Sequence, residues 1–307
     1  VLSNSRFLGD ALNKSVESVT WLGNDDFLQP RSRESLDIQT KATLERNAGN
    51  INDFANSIRA MRRHEIERIG LAWMSGVIDD EASLAGMTDV YDAAIEASLQ
   101  WAIQHRINDI QIDEAPAAIA IIGMGRYGGR EVNFSSDADV IIIYRPAEGA
   151  DDDQANLFAR KVQEDLRAIL QGPTTFEPKI ELDMDLRPEG KNGPLVRSYA
   201  SCEEYYRSWA STWEHQALLR ARYAAGDASL AEDFLMNIAD PLRYPKIDLT
   251  ETQIAEIRKL KARMEAERLP RGVRRDRHLK LGKGGLSDVE WTIQLLQLQH
   301  AGDNANL

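Results

Sequence analysis

Residues 117–145 read AAIAIIGMGRYGGREVNFSSDADVIIIYR, and their reading decides the fold. Ala117–Gly123 is a continuous apolar run of strand length, which predicts a strand buried on both faces. Gly123, Gly125, Gly128 and Gly129 make a glycine-rich turn. Ser135, Ser136, Asp137, Ala138 and Asp139 then lead straight into Val140–Tyr144, a second buried strand. In extended backbone, residues two apart face the same way, so Asp137 and Asp139 aim at one spot. Two carboxylates held that close raise each other's pKa, and a divalent cation removes the conflict. All-oxygen ligation suits Mg²⁺, which keeps several waters and takes substrate phosphates as further ligands. Glycine upstream lets backbone N–H groups approach an anion. Strand, Gly-Gly turn and Asp-x-Asp on the next strand together predict a nucleotide–metal site.

Two other readings compete for this stretch. Gly123-Met124-Gly125-Arg126-Tyr127-Gly128 fits the dinucleotide fingerprint G-x-G-x-x-G. That motif needs a helix directly after the turn and an acid at the end of the following strand. Here the next strand starts too soon, and the acids precede it. A tight turn with a capping or solvated Asp pair explains the glycines. It does not explain two inward acids flanking an apolar strand.

Gly128-Gly129 followed by Asp137-x-Asp139 resembles the active site of polymerase-β-type nucleotidyltransferases. The fuller string GMGRYGGREVNFSSDADV resembles the bifunctional glutamine synthetase adenylyltransferase/adenylyl-removing family. The fold this implies is α+β, a small mixed-sheet nucleotidyltransferase core flanked by helical regions on both sides.

Composition bounds the partners. The chain has 307 residues and a net charge of −12, so it is a poor general nucleic-acid binder, which needs clustered Lys and Arg. One cysteine, Cys202, excludes a disulfide framework or a thiolate zinc cluster. No apolar run is long enough to span a membrane, and no signal peptide is visible. The reading is a cytoplasmic protein. A start at Val1 without Met, and a polar end, suggest a segment of something longer.

Along the chain, residues 1–114 read as helical, with Ile51–Trp73 as one amphipathic helix and a second from Thr88 to about Ile107. The basic cluster Arg59, Arg62, Arg63 and His64 reads as a solvated face. Polar residues ending at Pro116 mark a boundary. Residues 115–199 read as the compact α/β unit, with a helix over 154–170. Lys179–Pro188 alternates strictly, which predicts a strand with Glu181, Asp183 and Asp185 on one face and Ile180, Leu182, Met184 and Leu186 on the other. Arg187 beside the acids is suited to holding phosphate bidentately, or to pairing with those acids. Pro194–Arg197 reads as a short edge strand. Residues 200–307 read as helices, with Tyr205, Tyr206, Trp209 and Trp213 in their core. Residues 258–283 hold eleven Lys and Arg against three acids, +8 in all, which leaves −20 on the rest. Arg258–Arg268 reads as a solvated helix face. The glycine-interleaved Arg271–Lys283, Lys283 above all, reads as an anion contact.

The second half extends the resemblance. LRPEGKNGPLVRS, STWEHQALLRAR, AERLPRG and KLGKGGLSDVEWTIQLLQLQHA are similar to successive segments of the adenylyltransferase family. DPLRYP and Asp288 look like its C-terminal, adenylylating half. The resemblance implies AMP transfer from ATP to a tyrosine of glutamine synthetase, with two Mg²⁺ ions and a PII-type signal protein as regulator. It implies metal ligands at Asp137 and Asp139 with Asp183 as third carboxylate, Asp185 being the alternative. It places phosphates at Gly128, Gly129, Ser135 and Ser136. Three alternatives stay open: the adenylyl-removing half, nucleotide transfer to another target, and a regulatory module that binds nucleotide without turnover.

Overall fold

The computed structural model describes residues 5–174, 177–247, 249–270 and 272–304. Its centre is a five-stranded mixed sheet. β1 (Ala117–Gly123) pairs antiparallel with β2 (Ala138–Pro146) along its whole length. β3 (Leu182–Asp183) and β4 (Val196–Ser198) lie end to end along the outer side of β2, both parallel to it. β5 (Arg222–Gly226) closes the other edge, antiparallel to β1.

Both faces of this sheet are covered, which is why its strands read as unbroken apolar runs. On one face Ile119, Ile121, Val140 and Ile142 pack against α1 (Ile51–Met74), α2 (Asp80–Asp109) and, beyond the short α3 (Gly125–Gly128), α4 (Asp152–Gln171). On the other face Ala120, Ile122, Ile141 and Ile143 meet Cys202, Tyr206, Leu218 and Phe234. The period of two sends alternate residues into two separate cores. Three C-terminal helices, α5 (Thr212–Leu218), α6 (Glu251–Arg268) and α7 (Leu286–His300), flank the site end of the sheet. The architecture is α+β, a small mixed sheet flanked by helices, as the sequence predicts.

Several local expectations give way. The second N-terminal helix starts at Asp80, capped by the Asp79 side chain, well before Thr88. Arg59 is fully buried and Arg62 nearly so. Arg59 donates to the carbonyls of Ile169 and Gly172 and so caps the C-terminus of α4. Arg59 and Arg62 thus form a buried strut, while Arg63 and His64 are only partly buried and Arg63 pairs with Glu177, so the cluster is not a solvated face. Residues 222–226 are a strand inside a segment read as helical. Trp209 is 75% exposed, not core. The alternating segment before Pro188 pairs as a strand only at Leu182–Asp183. Ile180, Leu182 and Met184 are buried as the pattern requires, but from Asp185 onward the backbone turns. No helix among the described residues is long and apolar enough to cross a membrane.

Candidate active site

The site corner forms where β2 begins. Asp139 is the second residue of β2 and lies in register with Asp183 of β3. In a parallel pair, residues in register project to the same side, about 4.8 Å apart. Asp137 stands two residues ahead of Asp139, just outside the strand and exposed. The sheet therefore brings together two acids forty-four positions apart in the sequence.

Asp139 is half-buried, and its carboxyl is pushed up to about 7. Burial is the largest cause, followed by the charges of Asp137 and Asp183; Lys280 and Arg126 offset part of the effect. The seat of this carboxylate is Gly125. A Cβ on Gly125 would stand 2.1 Å from Asp139 Oδ2, and its φ of +53° is one that glycine adopts without strain. Met124 N–H donates to Asp139 O at 2.8 Å and fixes α3 against β2.

Asp183 and Asp185 part company. Asp183 Oδ1 accepts the Asp185 N–H at 2.7 Å, which starts the turn after β3. Asp185 pairs with Lys191 at 3.1 Å and more loosely with Arg187 at 3.8 Å. It is not among the groups that raise Asp139. Arg187 is buried and donates to the carbonyls of Met184, Lys191 and Gly193. Its guanidinium closes the turn that presents Asp183.

The glycines and serines are similarly engaged. Gly128 N–H donates to Met124 O and Gly129 N–H to Gly125 O. A Cβ on Gly128 would meet the Arg220 carbonyl at 2.0 Å, so this glycine permits close backbone packing. Ser136 Oγ accepts the Asn133 N–H and donates to Asn133 Oδ1, which also accepts the Ser135 N–H. Tyr91 OH donates to the Ser136 carbonyl and accepts from Arg62, tying this loop to the N-terminal helices. Ser135, Ser136, Asp137, Asp183, Asp185 and Lys191 all wall a polar cleft of about 630 Å³.

Of the cationic segment, Arg271 lies outside the described residues. Lys283 is exposed, while Lys280 is the residue whose charge reaches Asp139. Sequence reasoning named Lys280 only as part of the basic run. Arg126 was passed over as the variable position of a glycine motif; its basic character beside an acid pair was the available signal.

Among the described residues no three carboxylate, imidazole or thiol groups close around a point as a metal cage. The donor set nonetheless suits a hard divalent cation. Mg²⁺ is usually held by one or two carboxylates together with substrate phosphates, and Asp139 carries a repulsion that a cation relieves.

The family model for glutamate–ammonia ligase adenylyltransferase matches residues 1–237. The bifunctional glutamine synthetase adenylyltransferase/adenylyl-removing enzyme of Bifidobacterium longum (strain DJO10A) is 77% identical over 307 residues, all of this chain and 28% of that protein. The enzyme of the same name from Streptomyces avermitilis is 42% identical over 313 residues, covering 98% of this chain and 31% of its own length. That from Mycobacterium tuberculosis is 49% identical over 243 residues, 79% of this chain and 24% of its own. The chain thus spans less than a third of the length of these relatives.

Proposed function

The chain belongs to the glutamate–ammonia ligase adenylyltransferase family, and from that premise we propose that it is an enzyme that moves the AMP group of ATP onto a tyrosine hydroxyl of glutamine synthetase in the cytoplasm. One observation carries this reading: Asp183 stands in register with Asp139, and Asp139 is raised by burial and by its two acidic neighbours. A carboxylate held at such a disadvantage is characteristic of functional sites.

Asp137, Asp139 and Asp183 would hold Mg²⁺, two ions in the polymerase-β pattern, supplying Lewis-acid stabilisation of the charge that builds on the phosphates. The chain's own groups do the rest. A tyrosine phenol has a pKa of about 10 and must lose its proton to attack. Asp183, on the wall of the open polar cleft, receives that proton. The phenol oxygen then bonds to the α-phosphorus as the bond to the bridging β-phosphate oxygen breaks, and pyrophosphate leaves. Lys280 and Arg126, the cations beside Asp139, balance the phosphate charge. The segments DPLRYP and Asp288 favour the adenylylating half, and the family resemblance supports a PII-type protein as regulator.

The test is incubation of the protein with unmodified glutamine synthetase, Mg²⁺ and ATP labelled at the α-phosphate. Label should appear on the tyrosine with stoichiometric pyrophosphate. If the protein instead releases ADP from modified glutamine synthetase and phosphate, the chain is the adenylyl-removing half. If it binds nucleotide without either reaction, it is a regulatory module.

A further inference from the structure

A second cleft, of about 400 Å³, opens beside Gly125, and α6 and α7 wall it through Leu260, Met264 and Trp291. Gly125 also seats Asp139, so these two helices stand against the site corner. Glu290 of α7 reaches Arg126 at 3.9 Å. The loop between the helices carries Lys280, whose charge reaches Asp139. Lys280 is exposed. A long exposed side chain on a slack loop loses entropy whenever it is ordered against a ligand.

This loop is not slack. Leu286 N–H donates to Leu279 O at 2.9 Å and Ser287 N–H to Lys280 O at 3.0 Å, which laces the backbone at Lys280 to the first turn of α7. A Cβ on Gly282 would stand 2.4 Å from the His278 carbonyl oxygen and 2.5 Å from that of Arg275, so the turn closes on a glycine.

Charged groups clamp the loop on either side of Lys280. Ahead of it, Arg275 Nη2 donates at 2.5 Å to Glu265 of α6, which is 8% exposed. After it, Gly284 N–H donates to Asp288 Oδ2 at 2.5 Å. Lys261 Nζ donates to both carboxylates, Glu265 Oε1 and Asp288 Oδ1. One ammonium thus joins the two anchors. Its side chain is only 21% exposed, so Lys261 leaves the solvated face that its helix presents.

We propose that Lys261 is a positioning residue: by joining Glu265 to Asp288 it holds residues 274–285 against α7 and presents Lys280 to the phosphates of the nucleotide at Asp139. The inference rests on the nucleotidyl-transfer reading of the aspartates. A cation fixed in advance needs no ordering when the anion arrives.

The experiment measures Mg²⁺-dependent binding of tripolyphosphate by calorimetry on wild type and variants. Lys280→Met should weaken binding about tenfold, the low end for a hydrogen bond to a charged group. Lys261→Met should weaken it about fivefold, the scale of ordering one long side chain. In the double variant the second change should add less than about twofold, because no cation is left to position. Asp288→Asn removes a negative charge, which by charge alone would tighten an anion; here it should weaken binding about threefold, again as lost positioning. Lys261→Arg keeps a cation between the two carboxylates and should restore most of the affinity. The proposal fails if Lys261→Met or Lys280→Met binds like wild type, if the two losses add in full, or if Asp288→Asn tightens binding. If wild type itself shows no Mg²⁺-dependent binding, the reading of the aspartates falls, an outcome distinct from failure at Lys261. Should Lys261→Met not fold, Asp288→Asn combined with Lys280→Met decides by the same non-additivity.

Discussion

The junction between α2 and β5 and the corner where β2 begins each take an aspartate out of water, and they treat its charge in opposite ways. Asp92 on α2 is 2% exposed. Arg222 of β5 grips it through two hydrogen bonds of 2.8 and 2.9 Å, and Arg33 and Arg130 stand at 3.5 and 3.9 Å. Among the described residues no guanidinium is bonded to Asp139; its nearest charged company includes two more acids. A carboxylate whose counter-charge is supplied by its own chain serves the fold. One whose counter-charge is missing is completed by something from outside.

The largest effect that could break this contrast is Asp139→Asn. AMP transfer should fall on the order of 10³-fold, the scale of losing one preorganised electrostatic contact. Stability should move the other way. Asp139 is raised to about 7 in the folded chain, against about 3.9 for a free Asp. Its charge therefore opposes folding fully above pH 7, and the penalty fades as pH falls toward 4. In metal-free buffer the variant should melt above wild type at pH 8 and match it near pH 4. A variant that melts lower at pH 8 would show that the chain does supply the counter-charge.

Asp92→Asn should do the reverse. It leaves Arg222, itself largely buried, without its anion, and should lose about 3 kcal/mol in denaturant unfolding, toward the lower end for breaking a buried pair. Transfer per folded molecule should stay within about twofold, because Asp92 touches neither cleft. Loss of turnover without loss of stability would erase the distinction between the two regions.

Much of the corner was legible in advance because it is local. A period of two places Asp137 and Asp139 together, and the buried runs on either side of the turn fix β1 and β2. The pairing of Asp183 with Asp139 is not local. Alternation offered Glu181, Asp183 and Asp185 on equal terms, and only the sheet register chooses among them. The turn at Asp185 was hidden because its cause, Arg187 reaching three carbonyls, is a tertiary choice. The burial of Arg59 was invisible for the same reason: its partners are the carbonyls ending α4, more than a hundred residues on. β5 is a short, mixed run whose partner β1 lies a hundred residues away, so no local pattern reveals it.

That register yields a sharper test. Asp183→Asn should lower transfer by roughly a hundredfold, again as loss of a preorganised charge. Asp185→Asn should stay within about fivefold, because its pair with Lys191 is largely exposed and worth at most about 1 kcal/mol. Single-turnover AMP transfer by the two variants at saturating ATP separates them. The opposite ranking would mean that the acids exchange roles when substrate binds.

Glu67 on α1 tests the contrast where it is weakest. It is fully buried, and neither carboxylate oxygen makes a hydrogen bond of good geometry among the described residues. By the rule drawn from Asp139 it would count as a site residue. Yet it walls neither of the clefts beside Asp139. Burial raises its pKa, while the hydroxyls of Ser18 and Ser15 and the charge of Arg63 act against that rise. The compensation comes from its own chain, only diffusely. Glu67→Gln should therefore stabilise the fold by about 1 kcal/mol at pH 8, the low end for relieving a poorly paired buried polar group. The gain should shrink as pH falls toward the usual glutamate range, where wild type becomes neutral too. AMP transfer should not change. Melting curves from pH 5 to 8 alongside a transfer assay decide the matter. A fall in turnover would show that an unmatched buried carboxylate matters here even away from the site, and that the divide between Asp92 and Asp139 is one of position, not of charge.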